Sequence, residues 1–271
     1  MTKLTFSVVI PCFNCHSTLN QALTSIETQI YPVDEVIVVD DCSSHSSTIK
    51  SKSIISKYKS LNIIFIFMPN NHGPGEARNR GLELASGDLI AFLDADDEWH
   101  PYKTVVVSKL FQKDTELTLL SHSRPYITNT QLPIANTNNS SLLKLTLPRL
   151  IFSNIIPTSS VVIRRISLKN IRFMGREHTE DYLLWLELLL SGHKLKHLNQ
   201  SLAFTRHFPL YGQGYSANLR LHQEREIHTI TYLCKKYSIS YYIRYAWQAW
   251  STIKYLRRLV KRRIYARNHR Q

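Results

Sequence analysis

Asp94-Ala95-Asp96-Asp97 is where residue type and spacing in this 271-residue chain speak most directly of chemistry. Three carboxylates within four residues repel one another unless a cation neutralises them. Hard divalent ions such as Mg²⁺ and Mn²⁺ take oxygen ligands and bridge carboxylates to a substrate diphosphate. The alternative is a solvated acidic turn that caps the next helix. The apolar run from Leu89 to Leu93 (LIAFL) favours the metal reading, because it fixes the acids at a strand end rather than on a free loop.

Three other spots carry weaker signals. Asp40 and Asp41 close the apolar run Glu35 to Val39 (EVIVV), where a carboxylate can accept from a ribose hydroxyl or a base N–H. Asp is equally at home there as a cap or turn residue. Gly73 to Gly81 (GPGEARNRG) joins glycines and a helix start to Arg78 and Arg80, a combination that attracts phosphate. Its spacing is neither that of a P-loop nor that of a dinucleotide fingerprint. Glu180 and Asp181 open an apolar helix, either as dipole-stabilised acids or as a general base; the local sequence fits both.

The elements that position these residues follow from the hydrophobic pattern. Phe6 to Ile10, Glu35 to Val39, Asn62 to Phe67 and Leu89 to Leu93 read as strands, apolar without alternation. Helical spacing fills the gaps, with Leu19, Ala22, Leu23 and Ile26 on one face, a stretch ending near Tyr58, and a helix from Gly73 through Glu83. Strands alternating with helices predict an α/β fold, a parallel sheet with helices on both faces. Ligands of such sheets bind beyond the strands' carboxyl ends. Pro11 to Asn14, Asp40-Asp41 and Asp94 to Asp97 therefore converge on one rim. Farther on, Thr128 to Ser141 reads as an exposed loop, Thr158 to Arg164 as a strand and Glu180 to Leu190 as a helix. Ile227 to Tyr237 and Tyr241 to about Arg263 also read as helices.

Composition sets bounds. With 43% hydrophobic and 20% charged residues the chain is neither disordered nor fibrous. No apolar run approaches the ~18 residues of a membrane span, and the N-terminus lacks a signal-peptide pattern, so a cytoplasmic location is expected. Eleven of the 34 Lys and Arg residues lie in 227–271, which holds no Asp or Glu. The rest of the chain is nearly balanced, so the tail suits an anionic partner. Ile243, Trp247, Trp250, Ile253, Leu256, Val260 and Ile264 recur at helical spacing with basic residues mostly elsewhere, as in helices that lie at a membrane interface. A helix packed on the main domain is the alternative. Four cysteines make no disulfide framework in such a chain, and Cys12-x-x-Cys15 lacks a second pair for zinc; neither redox nor metal use of that pair is expected.

Taken in order, Ser7-Val-Val-Ile-Pro11-Cys-Phe-Asn14, Val38-Val-Asp40-Asp41-Cys-Ser43, Gly73-x-x-x-Ala77-Arg78-Asn79-x-Gly81 and Phe92-Leu-Asp94-Ala-Asp96-Asp97 resemble glycosyltransferase family 2. The likeness is strong over about residues 5–100, and Glu180-Asp181 extends it loosely to about 190. It implies a GT-A fold, with a catalytic domain over 1–225 made of a nucleotide-binding part to about 100 and an acceptor-side part beyond; the basic amphipathic helical tail read from charge and spacing follows over 226–271. It implies inverting transfer of one sugar from a nucleotide-diphosphate donor, a UDP-sugar by base rate, to a glycan or lipid-linked hydroxyl in cell-surface polysaccharide synthesis. Pro11, Asn14, Asp40, Asp41, Arg78, Asp94 and Asp96 would border the donor. Asp96, with Asp94, would hold Mn²⁺ or Mg²⁺, and Asp181 would be the base, with Glu180 as the other candidate. Arg206 and His207 could reach phosphate or metal, since a neutral imidazole can ligate Mn²⁺; a surface His after a strand is the alternative.

The sequence departs from the family pattern at Cys42, where Gly is common, and at Phe13, where Tyr is usual. The Gln-x-x-Arg-Trp motif of processive members is absent, which favours addition of one sugar per encounter. Nucleic acid is not an expected partner, although the tail's charge alone would suit one. A nucleotidyltransferase would need a Gly-rich basic loop after the first strand, where this chain has Pro11-Cys12-Phe13-Asn14. A non-catalytic membrane-binding protein would explain the tail but not the acids on the rim.

Overall fold

The computed structural model describes residues 3–128, 141–169, 171–206 and 218–268. The chain runs β1 (Phe6–Cys12), α1 (Leu19–Glu27), β2 (Glu35–Asp40), α2 (His45–Ile55), β3 (Ile63–Phe67), α3 (Pro74–Leu84) and β4 (Leu89–Phe92). It continues with β5 (Asp97–Trp99), α4 (Lys103–Lys113), β6 (Leu117–Ser123), β7 (Leu142–Lys144), α5 (Leu147–Phe152) and a 3-10 turn at Thr158–Ser160. Then follow β8 (Val162–Arg164), α6 (Glu180–Leu190), β9 (Lys194–Ser201), β10 (Ala203–Thr205), α7 (Leu219–Lys236) and α8 (Tyr241–Asn268).

Eight strands form one sheet in the order β3-β2-β1-β4-β8-β6-β9-β7. The first four are parallel, as their unbroken apolar runs predict, with Val9 paired to Ile37 on one side and Phe92 on the other. β8 is antiparallel to both β4 and β6. A separate two-stranded sheet pairs β10 with β5 and sets Thr205 opposite Asp97.

Alternate strand residues point to opposite faces, and each face has its own core. Phe6, Val8 and Ile10 pack with Leu19 and Leu23 of α1 and Val107 of α4. Val9, Ile37 and Val39 pack with Ala77 of α3 and Leu183 and Trp185 of α6. α3 lies so close to β1 that a Cβ at Gly81 would run into the Val9 side chain. That approach keeps the start of α3 against the rim.

Several expectations are corrected. Cys12 and Cys15 are joined in a disulfide. The chain folds back through Asn14 at a φ of 51° and brings their Cα atoms to 5.5 Å, within bridging range. The expected strand from Thr158 begins as a 3-10 turn and becomes strand only at Val162. α7 starts at Leu219 rather than at the expected Ile227, because its first turns are mostly polar and carry little apolar signal. The expected loop at 128–141 lies almost wholly outside the described residues.

The tail helix has two apolar faces rather than one. Trp247 and Ser251 are buried, and Trp250 stacks on Phe152 at 4.9 Å and donates to its carbonyl at 3.1 Å. Ile243, Ile253, Leu256, Val260 and Ile264, placed on the same stripe by spacing alone, are all more than half exposed. Among the described residues no helix is long and apolar enough to cross a membrane.

Candidate active site

The rim is built first from loops that tie to one another. Asp40 ends β2, is fully buried, and accepts from the Ser43 N–H and the Thr48 hydroxyl, each at 2.8 Å. Asp41 is also buried and accepts from the backbone N–H groups of His72 at 2.8 Å and Gly73 at 2.7 Å. Asn14 donates its N–H to Ser43 Oγ at 2.7 Å and accepts from the Ser44 N–H at 3.0 Å. Pro11 pairs with Val39 just before this knot. The two aspartates thus fasten the walls of the rim, with their oxygens engaged inward. Arg176, from the segment before α6, reaches across to Asn71 and comes within 4.0 Å of Asp41.

The three acids after β4 occupy three environments. Asp94 receives a 2.6 Å hydrogen bond from the buried Arg78, whose guanidinium also lies over Phe173. Burial works against the Asp94 charge, but Arg78 and Arg124 more than offset it and hold its carboxyl below the usual range. Asp97 is buried, and Arg124 donates to both its oxygens at 2.8 and 2.7 Å. Burial nevertheless pushes Asp97 up to about 6, with Asp94 and Asp96 adding to the rise. Asp96 is the acid that stands exposed at the surface of the rim.

The second half of the chain meets this rim through the turn at Thr158–Ser160. Ser159 Oγ accepts from the Asp94 N–H at 3.0 Å, while Thr158 donates to Asp181 Oδ2 at 2.9 Å. One turn therefore has Asp94 on one side and Asp181 on the other. Its position is fixed by the Ser159 carbonyl, which accepts from Trp99 Nε1 and Lys103 Nζ, each at 2.9 Å. Lys103 is fully buried over the Trp99 ring, and burial lowers its pKa well below the ordinary value.

Glu180 and Asp181 separate clearly. Glu180 is buried, and a Cβ added at Gly75 would fall 2.5 Å from its Oε2. Its carboxylate thus occupies the N-terminal end of α3, where the helix dipole favours an anion. Asp181 is partly exposed beside Thr158. Arg206 donates to Glu98 at 2.5 Å, an ion pair that engages the guanidinium expected to reach phosphate. His207, the further metal ligand expected, lies outside the described residues.

Sequence reasoning missed Arg124, Lys103 and the Thr158-Ser159 turn. Arg124 follows an apolar run ending at Leu120, so the strand-end argument that found Asp94 could have found it. The turn gave no such signal, because its role lies in a hydroxyl and a carbonyl. Among the described residues no three His, Cys, Asp or Glu side chains are grouped to hold a metal by themselves. Exposed Asp96 beside Asp94 instead offers hard oxygen ligands, suited to Mg²⁺ or Mn²⁺ when a diphosphate supplies the rest.

A large mixed sheet flanked by helices, with acidic loops along one rim, is the architecture of the GT-A class of glycosyltransferases. Comparison with known proteins agrees. The family described as Glycosyl transferase family 2 matches residues 7–168. The chain is 34% identical over 201 residues to UDP-Glc:alpha-D-GlcNAc-diphosphoundecaprenol beta-1,3-glucosyltransferase WfaP of Escherichia coli, covering 71% of this chain and 73% of WfaP. Its fold superposes on S. aureus TarS in complex with UDP-GlcNAc at a TM-score of 0.68 and 23% identity, over 85% of this chain and 67% of that one. The mannosyltransferase PcManGT of Pyrobaculum calidifontis, in complex with GDP-Man and Mn²⁺, superposes at 0.65 and 16% identity, over 87% and 65% of the two chains. The chain belongs to glycosyltransferase family 2 and is a glycosyltransferase.

Proposed function

We propose that the protein moves a single sugar, with inversion, from a UDP-sugar to a hydroxyl of a lipid-linked diphosphate sugar in cell-surface polysaccharide assembly. The observation that carries this reading is the Thr158–Ser160 turn, bonded to Asp94 on the donor side and Asp181 on the acceptor side. The kinship with WfaP supports both the UDP donor and the acceptor class.

In this reading Pro11 and Asn14 border the nucleotide, and Asp40 and Asp41 hold the walls of its pocket. Asp96, with Asp94, would hold Mn²⁺ or Mg²⁺ on the diphosphate; the ion would offset the negative charge that develops on the leaving nucleotide. Arg78 keeps Asp94 ionised and adds positive charge to the same rim. Asp181 takes the proton of the acceptor hydroxyl as its oxygen bonds to the anomeric carbon and the sugar–phosphate bond breaks. General-base chemistry of this kind contributes about 10²–10⁴-fold. Glu180, sealed against Gly75, positions the start of α3. Residues 1–225 act as the catalytic domain, and the tail associates with the inner face of the membrane.

A thermal-shift panel of UDP, GDP, dTDP, CDP and ADP, each with and without Mn²⁺, tests the donor half of this reading. UDP should raise the melting temperature in a metal-dependent manner; a ligand at about 100 times its Kd stabilises by about 2.7 kcal/mol. A folded sample that responds to none of the five would contradict it.

A further inference from the structure

Beyond the acidic turn after β4 the rim continues along the second half of the sheet. β4 and β6 are each antiparallel to β8, so their carboxyl ends share one edge, and β9 runs parallel to β6. At that edge lies a hollow of about 550 Å³, within the ~300–1,000 Å³ of small-molecule sites. Two of its walls belong to the candidate active site. Arg124 lines the hollow and donates to both oxygens of Asp97. Pro157 lines it too, and the next residue, Thr158, donates to Asp181 Oδ2 at 2.9 Å. The Pro157 carbonyl accepts from the Ser160 N–H at 2.9 Å and from its hydroxyl at 2.7 Å, which ties this wall to the same turn.

The rest of the lining mixes two kinds of surface. Ser123, His197, Asn199 and Ser201 bring hydroxyl, imidazole and carboxamide groups, while Leu143 and Ile155 bring aliphatic carbon. His197 is buried and its Nδ1 lies 2.9 Å from Ser121 Oγ, so the ring is held in place. Burial lowers its pKa and keeps it neutral. Strand pairing is irregular at the same place. His122 pairs with Leu198 but Ser123 with Ser201, which leaves Asn199 and Gln200 as extra residues on β9. Such bulges re-aim side chains and recur beside active sites. Among the described residues that line the hollow, Arg124 is the only cation, and Asp97 balances it. Hydrogen-bonding groups without net positive charge suit a neutral polyhydroxylated ring better than a phosphate. The hydroxyls of such a ring can bond Ser, Asn and His side chains, and its C–H faces can cover Leu143 and Ile155.

We infer that this hollow holds the sugar ring of the acceptor, with the hydroxyl to be glycosylated directed past Pro157 towards Asp181. The subsite rests on the lipid-linked acceptor proposed above. Its test measures binding of three probes to the full chain, with saturating UDP and Mn²⁺ in the donor site. The probes are farnesyl diphosphate and the same compound carrying α-linked GlcNAc or GalNAc. Wild type should bind one of the sugar-bearing probes at least about tenfold more tightly than farnesyl diphosphate, the effect of two or more added hydrogen bonds. Asn199→Ala, at an exposed position, should lose about fivefold for that probe, and Ser201→Leu, which fills the hollow, should lose the whole preference. Binding of farnesyl diphosphate and of UDP should not change in either variant. If Ser201→Leu fails to fold, Asn199→Ala still decides. Folded variants that keep the wild-type preference overturn this subsite alone. A wild type that binds neither sugar-bearing probe more tightly than farnesyl diphosphate overturns the acceptor reading and this subsite with it.

Discussion

Cys42 shows how one residue type can be at odds with its backbone. Its φ is 62°, in the left-handed region where the family commonly has glycine. A non-glycine residue there costs roughly 1–2 kcal/mol, against the larger unfolded-state entropy of glycine. Cys42→Gly should therefore raise stability by about 0.5–1 kcal/mol, read as a higher midpoint in urea; a lower midpoint would refute the strain. The three acids after β4 make the opposite point, one residue type with three roles. Asp96→Asn should melt like wild type but lose the metal-dependent response to UDP. Asp97→Asn should lower stability by about 1–3 kcal/mol, because it leaves Arg124 without its bidentate partner. Calorimetry of the two variants side by side separates these outcomes.

At the scale of elements, α3 is held against β1 by the absence of a side chain at Gly81. Alanine there meets Val9, a β-branched residue buried in the sheet, so overpacking should outweigh the gain in helix propensity. Gly81→Ala should destabilise by about 1–3 kcal/mol in chemical denaturation. Asp114, after α4, binds Lys194 at 2.9 Å and Lys196 at 2.7 Å on β9. Those hydrogen bonds draw its carboxyl from 3.8 down to about 2. A folded value below the unfolded one means stabilisation that is full above about pH 4 and fades as pH falls through 2. The wild type's margin over Asp114→Asn in thermal melts should follow that course. The parallel half of the fold was legible because Phe6–Cys12, Glu35–Asp40 and Leu89–Phe92 are buried on both faces and unbroken in sequence. In the other half β8 and α6 were legible from their apolar residues, but β5, β7 and β10 are three residues each, too short for any periodicity, and their pairing is set by tertiary contacts. Likewise the sequence marked Asp40 and Asp41 as rim residues but could not reveal that their oxygens turn inward to loop N–H groups.

At the scale of the whole molecule, α8 binds the catalytic body on one face and offers a second apolar face to the outside. Tyr242, Tyr245, Ile253, Leu256 and Val260 stand exposed along it, with Arg257 and Lys261 beside them. Such a surface fits an anionic bilayer, where each cation contributes about 1 kcal/mol. Ile253→Ser with Leu256→Ser should abolish sedimentation with phosphatidylserine vesicles while leaving UDP binding intact; unchanged sedimentation would rule this face out. Helical spacing alone could not tell the two faces apart, because both carry aromatic and branched residues. Inverting transfer with Asp181 as the base fixes the stereochemistry of the product. Its most direct test is to follow the anomeric proton by NMR as the α-linked UDP-sugar is transferred to a lipid-diphosphate sugar in the presence of Mn²⁺. Wild type should give a β-linked product, and Asp181→Asn should lose about 10²-fold or more in rate with an unchanged melting temperature. An α-linked product, or wild-type rates from Asp181→Asn, would contradict it.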